Sequence, residues 1–196
     1  MSGMHAAHAS SILRFAGRER ALAELDDIDQ LVQQHRARLL RFVAFSIGDL
    51  DIAESIVQDC FLKAYNAREN FRGECSVQTW LNRIAMNLIL DHQRTRKFRF
   101  WRSVRKTALD IAEIAPILSS GANTPEKDLL VRERVAQVLK ALEAVSLNQR
   151  AIFLMHFQEE MGLREISLAT DMSINTVKTH LHRAMKAVRE KIGEVK

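Results

Sequence analysis

Hydrophobic residues recur every three or four positions along most of the chain, and few helix breakers interrupt them. Residues 51–67, DIAESIVQDCFLKAYNA, show this spacing with their acidic side chains off the apolar face, as expected of an amphipathic helix. The apolar positions of this segment are Ile52, Ala53, Ile56, Val57, Cys60, Phe61 and Ala64. Similar periodicity elsewhere predicts one helical block over residues 29–96 and another over residues 125–192.

The stretch ALDIAEIAPILSSGANTPEK separates the two blocks. Proline, glycine, serine and asparagine gather here as nowhere else in the chain, and these residues favour turns and loops. We therefore predict an all-α protein of two small helical domains joined by a flexible linker. We place the first domain at residues 28–97, the linker at 98–125 and the second domain at 126–193. The relative orientation of the two domains stays open.

Composition supports helices over sheets. The 196 residues include only 7 Gly and 2 Pro, aromatic residues make up 6%, and 47% of the chain is hydrophobic, which is enough to bury real cores. No apolar run is long enough for a signal peptide or a membrane span, so we expect a cytoplasmic protein without membrane insertion. Cys60 is expected to be a core residue, whereas Cys75, in a polar loop, is a candidate exposed thiol.

The segment GLREISLATDMSINTVKTHLHRAMKAVREKI predicts a helix-turn-helix. A short helix over residues 163–170 leads to a turn at Asp171 and Met172, and Ser173 caps a longer second helix. Asp171 stands where many such motifs carry glycine, but aspartate tolerates the left-handed conformation. Ser167 provides a small side chain where the two helices approach each other.

The second helix of this motif has one apolar and one polar face. The apolar face contains Ile174, Val177, Leu181, Ala184, Met185, Val188 and Ile192. The polar face contains Asn175, Thr176, Thr179, Arg183 and Lys186. Hydroxyl and amide groups near the start of a helix, followed by cations, are typical of a helix that reads the major groove of DNA.

Charge is unevenly distributed within the net charge of +5. Residues 19–59 contain nine acidic and four basic residues, whereas residues 92–106, HQRTRKFRFWRSVRK, contain seven basic residues and no acidic one. The basic segments favour a polyanionic partner and the acidic face a different one. The first block lacks the alternating strands of a receiver domain, which argues against a response regulator. The sequence contains no phosphate-binding loop or catalytic motif, so we do not expect an enzyme.

Taken in order, several segments resemble the extracytoplasmic-function (ECF, group IV) sigma factors of the sigma-70 family. They are DIAESIVQDCFLKAY, FRGECSVQTWLNRIAMNLILDHQRTRK, NTPEKDLL, LEAVSLNQRAIFLMHF and EISLATDMSINTVKTHLHRAMKAVRE. The resemblance implies a subunit that carries bacterial RNA polymerase core to promoter DNA. Its first domain, sigma region 2, would dock on the clamp of one large subunit and recognise the minus-10 element as it melts. Its second domain, region 4, would dock on the flap of the other and read the minus-35 element.

The resemblance also implies site residues. Those implied for the minus-10 element are Arg72, Gly73, Glu74, Ser76, Arg83, Asn87, Arg94, Arg96 and Lys97. The loop over residues 72–77 is the expected base-reading site, and Trp80 is expected to be a core residue. Those implied for the minus-35 element are Asn175, Thr176, Lys178, Thr179, His182, Arg183 and Lys186. Those implied for the polymerase clamp are Asp51, Glu54, Gln58 and Asp59.

The family further implies control by an anti-sigma factor that covers the polymerase-binding surfaces. Phe98, Phe100 and Trp101 are candidates either for stacking on DNA or for docking such a factor. No metal or cofactor is expected, since His180 and His182 diverge on their helix. Two other readings remain open: a regulator that binds duplex DNA without polymerase, and a protein-interaction module.

Overall fold

The computed structural model describes residues 21–94 and 125–193, together with residue 19. Residues 21–26 are helical and precede the first long helix. The elements that follow are α1 (Ile28–Ile47), α2 (Leu50–Ala67), a 3-10 turn (Arg68–Asn70), α3 (Val77–Arg94), α4 (Pro125–Leu142), α5 (Leu147–Phe157), α6 (Leu163–Thr170) and α7 (Ile174–Gly193). The described residues contain no strand, and the predicted all-α fold is confirmed.

Aspartate caps and a glycine define the ends of the first two helices. The Asp27 carboxylate accepts a hydrogen bond from the backbone N–H of Gln30 at 3.0 Å and so begins α1. Gly48, at φ 82°, ends that helix in the left-handed conformation, which glycine adopts at little cost. Asp49 then caps α2 through the N–H of Ile52 at 3.1 Å. Two helices thus reverse direction within a short, well-capped connection.

The first domain packs α1, α2 and α3 around a shared apolar core. Its largest fully buried side chains are Leu31, Leu39, Phe42, Phe71, Leu81, Met86 and Ile89. The apolar face expected for α2 is buried except for Ile52, which is half-buried. The acidic side of that helix therefore faces solvent, as its periodicity predicts.

The second domain packs α7 against α4, α5 and α6. A capping box formed by Ser146 and Gln149 begins α5, with the Ser146 hydroxyl accepting from the Gln149 N–H at 3.4 Å. Ile152, Met155 and Ile166 are fully buried in this core. On α7 the middle of the expected apolar face is buried, but Ile174 and Ile192, near its ends, are exposed. The core is shorter than the helix, so the periodic face extends beyond it.

The two domains also pack against each other. Helix α1 of the first domain contacts α5 of the second, and α3 contacts α6. Buried apolar residues of both domains form one continuous cluster. The relative orientation that the sequence left open is therefore a closed one in this structure. The predicted linker, residues 98–125, lies outside the described residues except for its last residue. The predicted domain boundaries therefore stay a prediction.

Candidate nucleic-acid interface

A pocket of about 500 Å³ lies on the first domain between the end of α2, the 3-10 turn and one face of α3. Its lining residues are Lys63, Asn66, Ala67, Asn70, Trp80, Arg83, Ile84 and Asn87. This volume falls within the usual range of small-ligand sites.

The chemistry of the pocket suits a nucleobase. Asn66, Asn70 and Asn87 carry amides that both donate and accept hydrogen bonds, and they can therefore pair with the edge of a base. The Trp80 indole provides an aromatic surface for stacking. The exposed side chains of Lys63 and Arg83 add two cations to the lining of the same site, where they could neutralise a phosphate group.

Trp80 serves both the core and the pocket. Its ring meets that of Phe71 edge to face, with 5.3 Å between centroids, and Phe71 is only 2% exposed. Trp80 itself is half-buried and presents part of its surface to the pocket. Trp80 therefore packs against the core, as expected, and also lines the candidate site. Its contact with Phe71 holds the indole in place.

Of the residues predicted for the minus-10 element, Arg83 and Asn87 line this pocket. Arg72, Gly73, Glu74 and Ser76 lie outside its lining, in the loop before α3. The Ser76 hydroxyl accepts from the Thr79 N–H at 3.1 Å and so begins α3, which is a structural role. Gly73 adopts φ 71°, a left-handed conformation that glycine allows.

The remaining predicted residues of this group lie further along the chain. Arg94 is exposed and forms an ion pair with Asp91 at 3.6 Å. Arg96, Lys97, Phe98, Phe100 and Trp101 lie outside the described residues.

Three polar residues of the pocket were not predicted from the sequence. Lys63, Asn66 and Asn70 follow one another at spacings of three and four, so this polar face at the end of α2 is visible in the sequence. What the sequence does not give is the approach of α3, which makes a pocket of that face.

The four residues predicted for polymerase docking, Asp51, Glu54, Gln58 and Asp59, are all exposed on α2. Glu54 is 3.4 Å from Arg36 in a solvent-exposed ion pair, which contributes little to stability. Leu62 continues the row four residues beyond Gln58 and is 60% exposed. An exposed leucine beside an acidic face is a feature that the sequence analysis missed.

The helix-turn-helix has the predicted boundaries. Helix α6 ends at Thr170, Asp171 adopts φ 56°, and the Ser173 hydroxyl accepts from the Thr176 N–H at 3.2 Å before α7 begins. The Ser167 hydroxyl donates to the Met172 carbonyl, so this small residue joins the first helix to the turn.

All seven residues predicted to read the minus-35 element are exposed: Asn175, Thr176, Lys178, Thr179, His182, Arg183 and Lys186. The Thr179 hydroxyl donates to the Asn175 carbonyl at 2.9 Å, which leaves its lone pairs available to a donor on a base. Lys186 lies 3.7 Å from Glu190 in an exposed pair that a phosphate can displace.

The two cysteines occupy different environments. Cys60 is fully buried, and burial raises the pKa of its thiol to about 12. Burial also raises the pKa of the half-buried Cys75 thiol, although the Arg83 charge acts in the opposite direction. Within residues 21–94 and 125–193, no three His, Cys, Asp or Glu side chains are placed to hold a metal ion. None of the helices in these ranges is both long and apolar enough to cross a bilayer.

Comparison with known proteins matches the two domains in order. A family model described as "Sigma-70 region 2" matches residues 31–99, and one described as "Sigma-70, region 4" matches residues 136–188. Together they cover more than half of the chain. The chain is 24% identical over 180 residues to the ECF RNA polymerase sigma factor SigW of Bacillus subtilis, an alignment that covers 91% of this chain and 92% of SigW.

Two solved structures share the fold. The sigma factor RpoE of Bartonella quintana, determined in complex with the anti-sigma factor NepR, is similar with a TM-score of 0.60 and 21% identity, over 83% of this chain and 96% of that one. CnrH, determined in complex with the cytosolic domain of CnrY, is similar with a TM-score of 0.62 and 20% identity, over 92% and 99%. On the evidence of the ordered family matches, this chain belongs to the ECF group of the sigma-70 family of sigma factors.

Proposed function

We propose that this chain directs bacterial RNA polymerase core to particular promoters, with its first domain capturing the melting minus-10 element and its second reading the minus-35 duplex. The observation that carries this proposal is the presence, on one chain and in the family's order, of two different surfaces whose chemistry suits DNA. One is a concave pocket with amides and an indole, and the other is an exposed helix with a polar face.

The pocket suits a single base better than a duplex. Extruding a base costs a few kcal/mol in lost pairing and stacking. Stacking on an aromatic side chain returns roughly 1–3 kcal/mol, and Trp80 is placed to provide it. Hydrogen bonds from Asn66, Asn70 or Asn87 to the edge of the base would add selectivity. Outside the pocket, the predicted contacts to the melted DNA strand are Arg72, Gly73 and Glu74.

The recognition helix suits the major groove. Asn175 and Thr176 lie in its first turn, from which side chains reach base edges, and Lys178, Arg183 and Lys186 provide cations for guanine or phosphate. The Thr179 hydroxyl and the His182 ring are further candidates for base contacts. Seven exposed polar residues on one helix give the second domain a reading surface independent of the first.

Docking on polymerase is assigned to the exposed face of α2. Asp51, Glu54, Gln58 and Asp59 would complement a basic clamp surface, and Leu62 offers an apolar contact within the same row. The second domain would dock on the flap. The polymerase performs the chemistry, and no catalytic step is assigned to this chain. Transcription takes place in the bacterial cytoplasm, and the proposed function would therefore be carried out there.

Regulation by an anti-sigma factor is also part of the proposal. The proposal is supported by RpoE of Bartonella quintana, a protein of the same fold that was determined in complex with the anti-sigma factor NepR. CnrH, a second protein of this fold, was determined in complex with the cytosolic domain of CnrY.

Transcription in vitro with bacterial core polymerase over a pooled promoter library tests the proposal. We expect initiation to depend on the protein, and an Asn87→Ala variant to weaken or alter the minus-10 preference by roughly three- to tenfold, the worth of about one hydrogen bond. Gln34→Ala, which removes an exposed amide on α1, serves as control and should match the wild type. If core plus protein initiates nowhere while the protein alone retards duplex DNA, the chain is a duplex-binding regulator instead.

A further inference from the structure

Glu159 is a buried acidic residue in the turn between α5 and α6. It is 3% exposed overall, and its side chain is fully buried. Glu160, which follows it, adopts the left-handed conformation at φ 55°, so the chain reverses sharply at this point. The Glu159 side chain lies against the first domain.

The partners of this carboxylate come mainly from the first domain. Its Oε2 atom accepts hydrogen bonds from Arg38 Nε at 2.9 Å, Gln78 Nε2 at 3.1 Å and Asn82 Nδ2 at 3.3 Å. Within its own domain, Gln158 donates to Oε1 at 2.9 Å. A buried carboxylate is tolerated only when it is paired and hydrogen-bonded. Glu159 therefore favours the closed arrangement, in which the first domain supplies most of its donors.

The first-domain donors are themselves held in position. His35 Nδ1 lies 2.8 Å from Gln78 Oε1, and His35 Nε2 lies 2.6 Å from the Glu24 carboxylate. With its oxygen engaged by His35, the Gln78 amide presents its NH₂ group to Glu159. Asn82 is fully buried and also contacts the Met161 sulfur at 3.3 Å. These side chains form a preorganised socket for Glu159.

A second polar contact joins the domains at another point. Arg150 of α5 donates to the Ser46 carbonyl of α1 at 3.3 Å and to the Leu142 carbonyl of its own domain at 3.0 Å. Together with the continuous apolar cluster, it makes the contact between domains extensive. The docking therefore has the character of a specific interface.

The closed arrangement conflicts with reading both promoter elements at once. The elements are named for positions about 25 base pairs apart, which corresponds to ~85 Å of duplex at ~3.4 Å per base pair. A compact chain of this length has a radius of gyration of about 16 Å and a diameter of about 40 Å. The connecting residues 95–124 can span up to about 100 Å at ~3.3 Å each, so the chain is long enough to open.

We propose that the free protein is autoinhibited by its own domain contact, with Glu159 in its first-domain socket as the latch that must be released before both promoter elements are read. The proposal rests on the proposed function. Each DNA-reading surface stays exposed in the closed form. Closure therefore does not cover either surface, but it holds the two too close together to contact both promoter elements at once. If the open form is a minor fraction of the free protein, its apparent affinity for polymerase is reduced by that fraction.

Charge reversal at the latch tests the proposal. In Glu159→Lys, a cation would face Arg38 and two amide donors, so we expect the domains to separate while each keeps its own core. Glu143→Lys, on an exposed residue of the same domain, introduces the same charge change and serves as the matched control. The double variant Arg38→Glu/Glu159→Lys restores opposite charges and should restore closure.

Small-angle X-ray scattering and binding to polymerase core provide the two readouts. We expect Glu159→Lys to have a larger radius of gyration than the wild type and to bind core at least threefold more tightly, with the double variant returning towards wild type in both. Circular dichroism should show unchanged helix content. Equal radii for Glu159→Lys and wild type would overturn the latch. An expanded Glu159→Lys that binds core no better than Glu143→Lys would overturn the autoinhibition.

The same measurements distinguish failure of the latch or of the autoinhibition from failure of the proposed function. If no form of the protein binds core, although Glu159→Lys expands, the proposed function is wrong and the autoinhibition falls with it. If wild type binds core and Glu159→Lys does not expand, only the domain contact is wrong.

Discussion

At the residue scale, burial sets the reactivity of the two thiols. Cys60 lies in the first-domain core, where its Sγ is 3.4 Å from the Leu81 carbonyl and its pKa is raised to about 12. The pKa of Cys75 is also raised, with burial as the largest cause. Since the thiolate is the reactive form, both thiols react more slowly at neutral pH than a small free thiol, and Cys60 by far the more so.

Alkylation of the native protein checks this difference. At pH 8 we expect iodoacetamide to modify Cys75 slowly, with a rate that rises as the pH approaches the raised pKa of that thiol. Cys60 should react only after denaturation. A Cys75→Ser variant serves as control and should show no modification when folded. Equal rates for the two native thiols would contradict the buried position of Cys60.

At the element scale, the helix-turn-helix depends on the cap at the start of its second helix. The Ser173 hydroxyl accepts the Thr176 N–H, and removing such a cap costs about 1 kcal/mol. We expect Ser173→Ala to lower the free energy of unfolding by that amount in chemical denaturation. Ser173→Asp should keep the cap and the stability but weaken duplex binding, because its charge lies beside the residues that we propose to contact DNA. A Ser173→Ala variant as stable as wild type would show that the cap contributes nothing.

Also at this scale, the exposed face of α2 is predicted to bind polymerase through Leu62. Burying a leucine is worth about 1.5–3 kcal/mol, so Leu62→Ala should weaken core binding roughly tenfold or more if the side chain is buried on docking. Thermal stability should stay unchanged, since Leu62 is 60% exposed in the free protein. Val131→Ala on α4, another exposed apolar residue, is the control in a binding titration. Unchanged affinity in Leu62→Ala would exclude this residue from the interface.

The success of sequence analysis differed between elements. The end of α6 and the start of α7 were predicted closely, because caps, turn residues and periodicity are local signals. Asn66 and Asn70 were missed because the pocket that they line is formed only by the approach of α3. Glu159 was missed for a similar reason: acidic residues in a polar turn are expected to be exposed to solvent, and its donors in the first domain lie 77 to 121 positions away in the chain.

At the scale of the whole molecule, the pattern of polar and apolar residues predicted two helical domains but not their docking. Periodicity identifies the apolar face of a helix, and it does not say whether that face packs within a domain or also against the neighbouring domain. The contact of α3 with α6 and of α1 with α5 is therefore knowledge that only the structure provides. This contact is the basis of our proposal that the two domains are closed in the free protein and open on the promoter.

The central claim is that one chain reads two promoter elements at once when bound to polymerase. The most direct measurement is initiation in vitro by core plus this protein on promoters that combine its two preferred elements with spacers of every length. We predict dependence on both elements and a single optimal spacer, with at least a tenfold loss when the spacer changes by about 5 base pairs, half a turn of the duplex. Initiation that ignores the upstream element or the spacer, or that core alone achieves equally well, would contradict the account.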